Sequence, residues 1–177
     1  DRNAFHRSFN QTFPFTATES DAEKTYTANL RKNYKITRND DCSEFDNIQT
    51  STSYIVEQHS DTITAPPTKP VNGRNYKFVG WEDDLSKPNP RPLSPTDNEE
   101  YTALYKYPNH SKNINGFDNS SQKKMVRSPN GHLHMVYESM DRVWYEKSTD
   151  NGITWTLMND GKPLSNDVSK YPSIDYY

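Results

Sequence analysis

The sequence encodes an all-β protein made of small sheet modules in series, and three features carry that expectation. Strand-favouring residues recur along the whole chain: 12 Tyr, 7 Phe and 3 Trp, with Val, Ile and Thr between them, in a composition only 31% hydrophobic. Short period-two runs are separated by segments in which proline removes backbone donors. Near the C-terminus, Ser148-Thr149-Asp150-Asn151-Gly152-Ile153-Thr154-Trp155 supplies the residue types of a tight hairpin. A mean hydropathy of −1.13 would suit disorder, but disordered segments are poor in aromatic and β-branched residues. The modules must therefore be thin, covering one or two sheet faces each and lined by amphipathic tyrosine.

Charge excludes two classes of partner. The net charge of −3 is spread along the chain, without the basic stripe a phosphate backbone demands or the polybasic run that anionic membranes attract. Neither nucleic acid nor membrane insertion is expected, and no stretch approaches the roughly 20 apolar residues that cross a bilayer. Asp1-Arg2-Asn3-Ala4 lacks the apolar region of a secretory signal, so an exported chain would carry that signal upstream. The single Cys42 excludes an intramolecular disulfide framework and a CxxC metal pair, and it leaves the compartment open.

Residues 1–32 read as the C-terminal part of one β module. Lys24-Thr25-Tyr26-Thr27-Ala28-Asn29-Leu30 is echoed about 75 residues later by Glu100-Tyr101-Thr102-Ala103-Leu104-Tyr105. Upstream, Phe13-Pro14-Phe15-Thr16 corresponds loosely to Arg91-Pro92-Leu93-Ser94. The rival reading of residues 20–32 is a helix, because Ser20 and Glu23 form a capping box and Ala22, Tyr26 and Leu30 share one helical face. Residues 33–107 form a second module with strands at 34–37, 53–56, 76–79 and 101–105. The proline-rich stretches 65–70 and 87–92 cannot be central strands. Residues 108–124 are polar, rich in Asn and Ser and without period, and read as a linker to a last unit, 125–177.

Residues 64–70, then Tyr76-Lys77-Phe78-Val79-Gly80-Trp81, then Tyr101-Thr102-Ala103-Leu104-Tyr105 resemble the Listeria-Bacteroides repeat, also called the internalin B-repeat. That family's pattern runs roughly proline, aromatic, x, phenylalanine, x, glycine-tryptophan, and closes on a short strand. The resemblance implies a β-grasp-like module of surface adhesins, with room for a little helix, serving as spacer or contact surface without catalysis. Phe78, Gly80, Trp81 and Tyr101 would form its core. The chain departs from the family in having Ala103-Leu104-Tyr105 where a Tyr-Ala-x-Trp ending is usual, and in lacking an early glycine pair.

Residues 124–155 alternate strand and turn and end in the hairpin. In Ser-x-Asp-x-Gly-x-Thr-Trp the short polar side chains can bond the turn's own backbone, Gly152 can take a positive φ, and Trp155 can anchor the hairpin. If the Trp155 ring is buried, its replacement by alanine should cost roughly 3 to 5 kcal/mol. Ser148, Asp150, Gly152, Thr154 and Trp155 resemble the Asp-box of BNR β-propellers, the architecture of sialidases and many bacterial surface proteins. In that family these positions are structural, so Asp150 is not promoted to a catalyst. Pro163-Leu164-Ser165 and the run Tyr171 to Tyr176 look like the opening of a second blade. A propeller needs about four to eight blades, so either the chain is part of a longer protein or its open edge is covered.

No catalytic residue, cofactor or metal is expected. Sialidase chemistry would need an arginine cluster, a Tyr with an acidic partner and an Asp acid/base drawn from several blades. His132 and His134 share a strand face and could serve a metal, but solvent-facing histidines between Leu133 and Met135 are the blander reading. Asp40-Asp41 and Glu82-Asp83-Asp84 read as solvated turns rather than calcium loops. Asn10, Asn109 and Asn119 head glycosylation sequons, and Asp61-Thr62-Ile63 resembles a short O-glycosylation signal with Thr62 as acceptor. The expectation is a non-catalytic piece of an extracellular or cell-surface protein, used in adhesion or spacing. Its partners would be other domains or copies of the parent, glycans, or a host or cell-surface protein. Two alternatives remain: the accessory part of a secreted glycoside hydrolase, and a filament or sheath subunit.

Overall fold

The computed structural model describes residues 31–42, 49–118 and 122–177. The first copy of the repeat, nearly all of the rival helix, and the Asn10 and Asn119 sequons lie outside the described residues. The described chain is all-β, with one short 3-10 turn, Asn159–Gly161, and no α-helix. Its strands are β1 (Asn33–Cys42), β2 (Gln49–Val56), β3 (Asp61–Ile63), β4 (Thr68–Val71), β5 (Arg74–Trp81), β6 (Arg91–Leu93), β7 (Glu99–Lys106), β8 (Met125–Arg127), β9 (Leu133–Ser139), β10 (Arg142–Ser148) and β11 (Thr156–Leu157). The four runs read from sequence in 33–107 fall in β1, β2, β5 and β7.

Five of these strands form a mixed sheet in the order β2-β1-β7-β5-β4, in which β1 and β7 run parallel and the other pairs antiparallel. Proline sits where the loss of a donor is tolerated: among the described residues β4 is an edge strand, and β6 pairs only with β3 in a two-stranded ribbon. Between β4 and β5, Asn72 (φ 47°) and Gly73 (φ 77°) make the two-residue turn whose twist matches a hairpin.

The central strand β7 is buried on both faces, and its alternation divides the interior in two. Ala103 and Tyr105 join Ile36, Ile55, Tyr76 and Trp81 in one cluster. Leu104 joins Val79 and Leu85 in a second, which is completed by Met135, Tyr137, Met140 and Trp144 of the other sheet. That sheet is the antiparallel meander β8-β9-β10-β11. The two sheets therefore share a core.

The segment expected to be a linker is, in its described part, fastened to the second sheet. The Ser111 hydroxyl donates to the Glu138 carbonyl at 2.5 Å, the Lys112 amide to the Ser139 hydroxyl at 2.9 Å, and the Glu138 amide to the Gly116 carbonyl at 3.1 Å. Phe117 stacks on Tyr137 with ring centres 4.8 Å apart. A Cβ at Gly116 would collide with the Glu138 carbonyl and the Ser111 hydroxyl, so the approach depends on glycine. Ser111 and Asn113, of the kind that gives the segment its linker-like composition, here bond the Glu138 carbonyl and carboxylate of the sheet.

No strand forms beyond Leu157 among the described residues, where the opening of a second blade was expected. The tail runs back over the same sheet: Leu164 donates to Val143 at 2.8 Å, Ser169 to Asp141 at 2.9 Å and Ile174 to Lys123 at 2.9 Å, all backbone to backbone.

Candidate functional site

The hairpin between β10 and β11 is organised around one carboxylate. Asp150 Oδ1 accepts the Ser148 hydroxyl and the Thr154 amide, each at 2.8 Å, and Oδ2 accepts the Thr154 hydroxyl. Ser148 Oγ accepts the Gly152 amide at 2.8 Å, and Gly152 has a φ of 90°. The Thr154 hydroxyl and amide, then the Ser148 hydroxyl, hold the Asp150 carboxyl down at about 2. Both oxygens of the Asp150 carboxylate are thus engaged inside the turn, which leaves it unsuited to proton transfer. Trp155 is half-buried against the shared core and donates its indole N–H to the Gly152 carbonyl at 3.2 Å. From β8, Arg127 braces the turn by donating to Asn151 Oδ1 at 2.6 Å.

In the other sheet, Trp81 is fully buried and donates to the Pro88 carbonyl at 3.0 Å, while Tyr105 donates to the Pro66 carbonyl at 2.9 Å. Both proline-rich stretches are tied down by aromatic donors. Phe78 and Tyr101 pack against the same cluster. Arg91 lies over the Tyr101 ring, 4.3 Å from its centre, and grips Asp83 with two bonds of 2.6 and 2.7 Å. That guanidinium holds the Asp83 carboxyl below its usual range, and burial with the Glu99 carboxylate pushes the Tyr101 hydroxyl up to about 12.

Where the sheets meet, a buried polar lock appears. Lys106, at the end of β7, donates to the Tyr107 carbonyl at 2.9 Å and to the His110 carbonyl, with its ammonium 4.9 Å from the centre of the Tyr137 ring and 5.6 Å from that of Trp144. Glu146 on β10 accepts the Asn109 amide on both oxygens, at 2.9 and 2.8 Å, and the Tyr137 hydroxyl. Burial, then Glu146, pushes the Tyr137 hydroxyl far above the usual phenol range. Lys106, Tyr137 and Glu146 are all fully buried. The lock leaves no trace in the sequence pattern because its members come from separate strands and loops.

Several residues singled out from the sequence acquire different surroundings. His134 is half-buried rather than solvent-facing: it stacks on Tyr145, and its ring nitrogens meet the Tyr145 hydroxyl at 2.7 Å and the Ser128 hydroxyl at 3.1 Å. Burial, with Lys147 and His132 nearby, lowers its pKa. Asp40 and Asp41 are not in a solvated turn. They are buried strand residues, Asp40 paired with Lys69 at 2.6 Å and Arg38 at 3.0 Å, Asp41 with Lys112. Asp84 does sit in a turn, accepting the Ser86 amide at 2.9 Å. No group of three or more His, Cys, Asp or Glu among the described residues could hold a metal ion. Asn109 and Thr62 are exposed. No helix among the described residues is long and apolar enough to cross a membrane.

One cleft joins the two motif regions. Residues 77–80 of β5, with Leu85, Lys87 and Pro108, form one wall and residues 155–162 the other, around about 790 Å³. Its lysines, Lys77, Lys87 and Lys162, are far apart in sequence, so no local pattern announces it. No protein family, curated protein or solved structure matches the chain.

Proposed function

We propose that the chain is a non-catalytic part of an extracellular modular surface protein, in which it serves adhesion and spacing. The observation that carries this reading is the fusion of two unlike β units into one body: the second cluster draws Val79, Leu85 and Leu104 from one sheet and Met135, Tyr137, Met140 and Trp144 from the other. A junction with its own core, locked by buried Lys106 and Glu146, transmits load and fixes the spacing of surfaces at either end. Two details support the resemblances: the bulge at Val79, just before Gly80-Trp81, lets Trp81 pack into the first cluster, and the Asp-box side chains are spent on their own turn.

Force extension of tandem copies tests this reading. One unfolding step per copy is expected, with no turnover of a panel of fluorogenic glycosides that includes a sialoside. Two independent steps would remove the rigid-spacer reading, and turnover that tracks the purified chain would favour the hydrolase.

One observation favours self-assembly as a second reading. Among the described residues β2, Gln49–Val56, is an edge strand; it is eight residues long, contains no charge and no proline, and is mostly exposed. Such an edge is a template for strand addition. Sizing across a concentration series should show assembly that Thr52→Lys abolishes; a monomer at every concentration would discard the filament class.

A further inference from the structure

We infer that the cleft between β5 and the Asp-box hairpin binds an acidic saccharide, one bearing carboxylate or sulfate groups. This rests on the adhesin reading above and gives it a site.

Three independent features point there. The first is charge: Lys77, Lys87 and Lys162 line the cleft against a single carboxylate, Asp160, in a chain whose net charge is −3. Lys87 is paired loosely with Asp84 at 3.7 Å, while Lys77 and Lys162 form no ion pair among the described residues. Exposed cations that converge on one concavity attract an anion more strongly than the same charges scattered over a surface.

The second feature is the lining. Half-buried Trp155 and Phe78 contribute apolar ring surface beside the amide of Asn159 and the lysines. Ligand sites combine such apolar walls with a few placed polar groups, and a volume of about 790 Å³ falls within their usual size. A sugar ring presents C–H faces to aromatic rings and hydroxyls to amides.

The third is strain. The far lip is the turn Asn159–Gly161, in which Asn159 and Asp160 both have a φ of 56° and Gly161 follows at 75°. Successive non-glycine residues in the left-handed region persist only where the surroundings hold them, and they gather at ligand clamps. The turn is held by the Asn159 amide, which donates to the Pro163 carbonyl at 2.7 Å. An acidic peptide fits less well. The backbone edge facing this region is β11, only Thr156–Leu157, which offers an added strand very few bonds.

The test is titration of the full chain with a heparin-derived tetrasaccharide by calorimetry at low and high salt, with 15N spectra of the indole N–H groups. Saturable binding is expected that weakens tenfold or more at high salt and again in Lys77→Gln/Lys162→Gln, with the Trp155 indole signal shifting and the buried Trp144 signal fixed. Both lysines are exposed, so the variant should melt with the parent; Lys123→Gln, outside the cleft, should bind normally. Uncharged maltotetraose should not bind, and tetraglutamate should bind at least tenfold more weakly. Equal binding of tetraglutamate would reassign the cleft to acidic peptides. Binding indifferent to the lysine pair, or no binding of the tetrasaccharide, would overturn the inference. None of these outcomes touches the single-step unfolding on which the spacer reading rests.

Discussion

Phe78 and Trp81 meet edge to face, with ring centres 5.5 Å apart and planes at 68°, although they stand three positions apart on one strand. In a regular strand, residues at odd spacing point to opposite faces. The register of β5 against β7 slips between Phe78 and Gly80, so that Phe78 faces Tyr105 and Gly80 faces Leu104. The extra residue, Val79, joins the second core, while Phe78 and Trp81 serve the first.

Gly80 makes that bulge. Its φ is 154°, and a Cβ there would lie 2.6 Å from Leu85 Cδ2 and 3.2 Å from Leu85 Cα. Gly80→Ala should therefore destabilise the protein by about 3 kcal/mol, from overpacking and backbone strain together. Leu85→Ala in the same chain should relieve only the clash with Cδ2, leaving the 3.2 Å approach to Cα and the backbone strain. Denaturant unfolding of the two variants measures both; an unaltered midpoint for Gly80→Ala would mean that the bulge does not need glycine.

The two tryptophans of the second unit should differ. Trp144 is fully buried and donates to the Ser139 carbonyl at 2.8 Å, whereas Trp155 is half-buried at the cleft. Trp144→Ala should cost about 3 to 5 kcal/mol. Trp155→Ala should cost clearly less than that, and less than the motif alone implies, because part of the ring's surface is already in water. Thermal melts of both variants decide it, and a larger loss for Trp155 would put the anchor of the hairpin elsewhere.

How much of the molecule is legible in its sequence follows from which contacts are local. The strands of 33–107 and the turn at 148–155 rest on period-two patterning and on side chains bonding their own backbone, and both survive reading in isolation. The Asn72-Gly73 turn carries an equally local signal, which a search for strand runs alone misses. Residues 108–118 mislead because Asn, Ser and Gly serve a solvated linker and a docked segment alike; the difference lies in Glu138 and Ser139, more than 20 residues on. Lys106 and the cleft lysines are long-range in the same way. A lysine after a strand reads as solvated until Tyr137 and Trp144 are brought over it.

The lock at the sheet junction predicts an asymmetry between two substitutions. Glu146→Ala leaves the buried Tyr137 hydroxyl, and with it the Asn109 amide, without an acceptor, and should cost about 3 kcal/mol. Glu146→Gln keeps one carbonyl oxygen at the site and should cost clearly less. Equal losses, compared by urea unfolding, would show that charge rather than hydrogen-bond acceptance holds the junction.

The Asp150 carboxylate sets a pH window. Asp150 has a folded pKa of about 2 against an ordinary value of 3.8, so the unfolded chain binds its proton first as pH falls. Its contribution is complete above about pH 4, declines through the interval down to about pH 2 and is gone below it. Other carboxyls lowered in the fold, Asp83 held by Arg91 and Asp175 by Lys123, lose stability in the same direction. The comparison must therefore be between chains rather than between pH values. Asp150→Asn keeps an oxygen for the Ser148 hydroxyl and the Thr154 amide but cannot titrate. It should start with a lower melting temperature at neutral pH and lose less between pH 4 and pH 2 than the parent. Parallel melting curves across that interval would mean that the network around Asp150 adds nothing to the hairpin's stability.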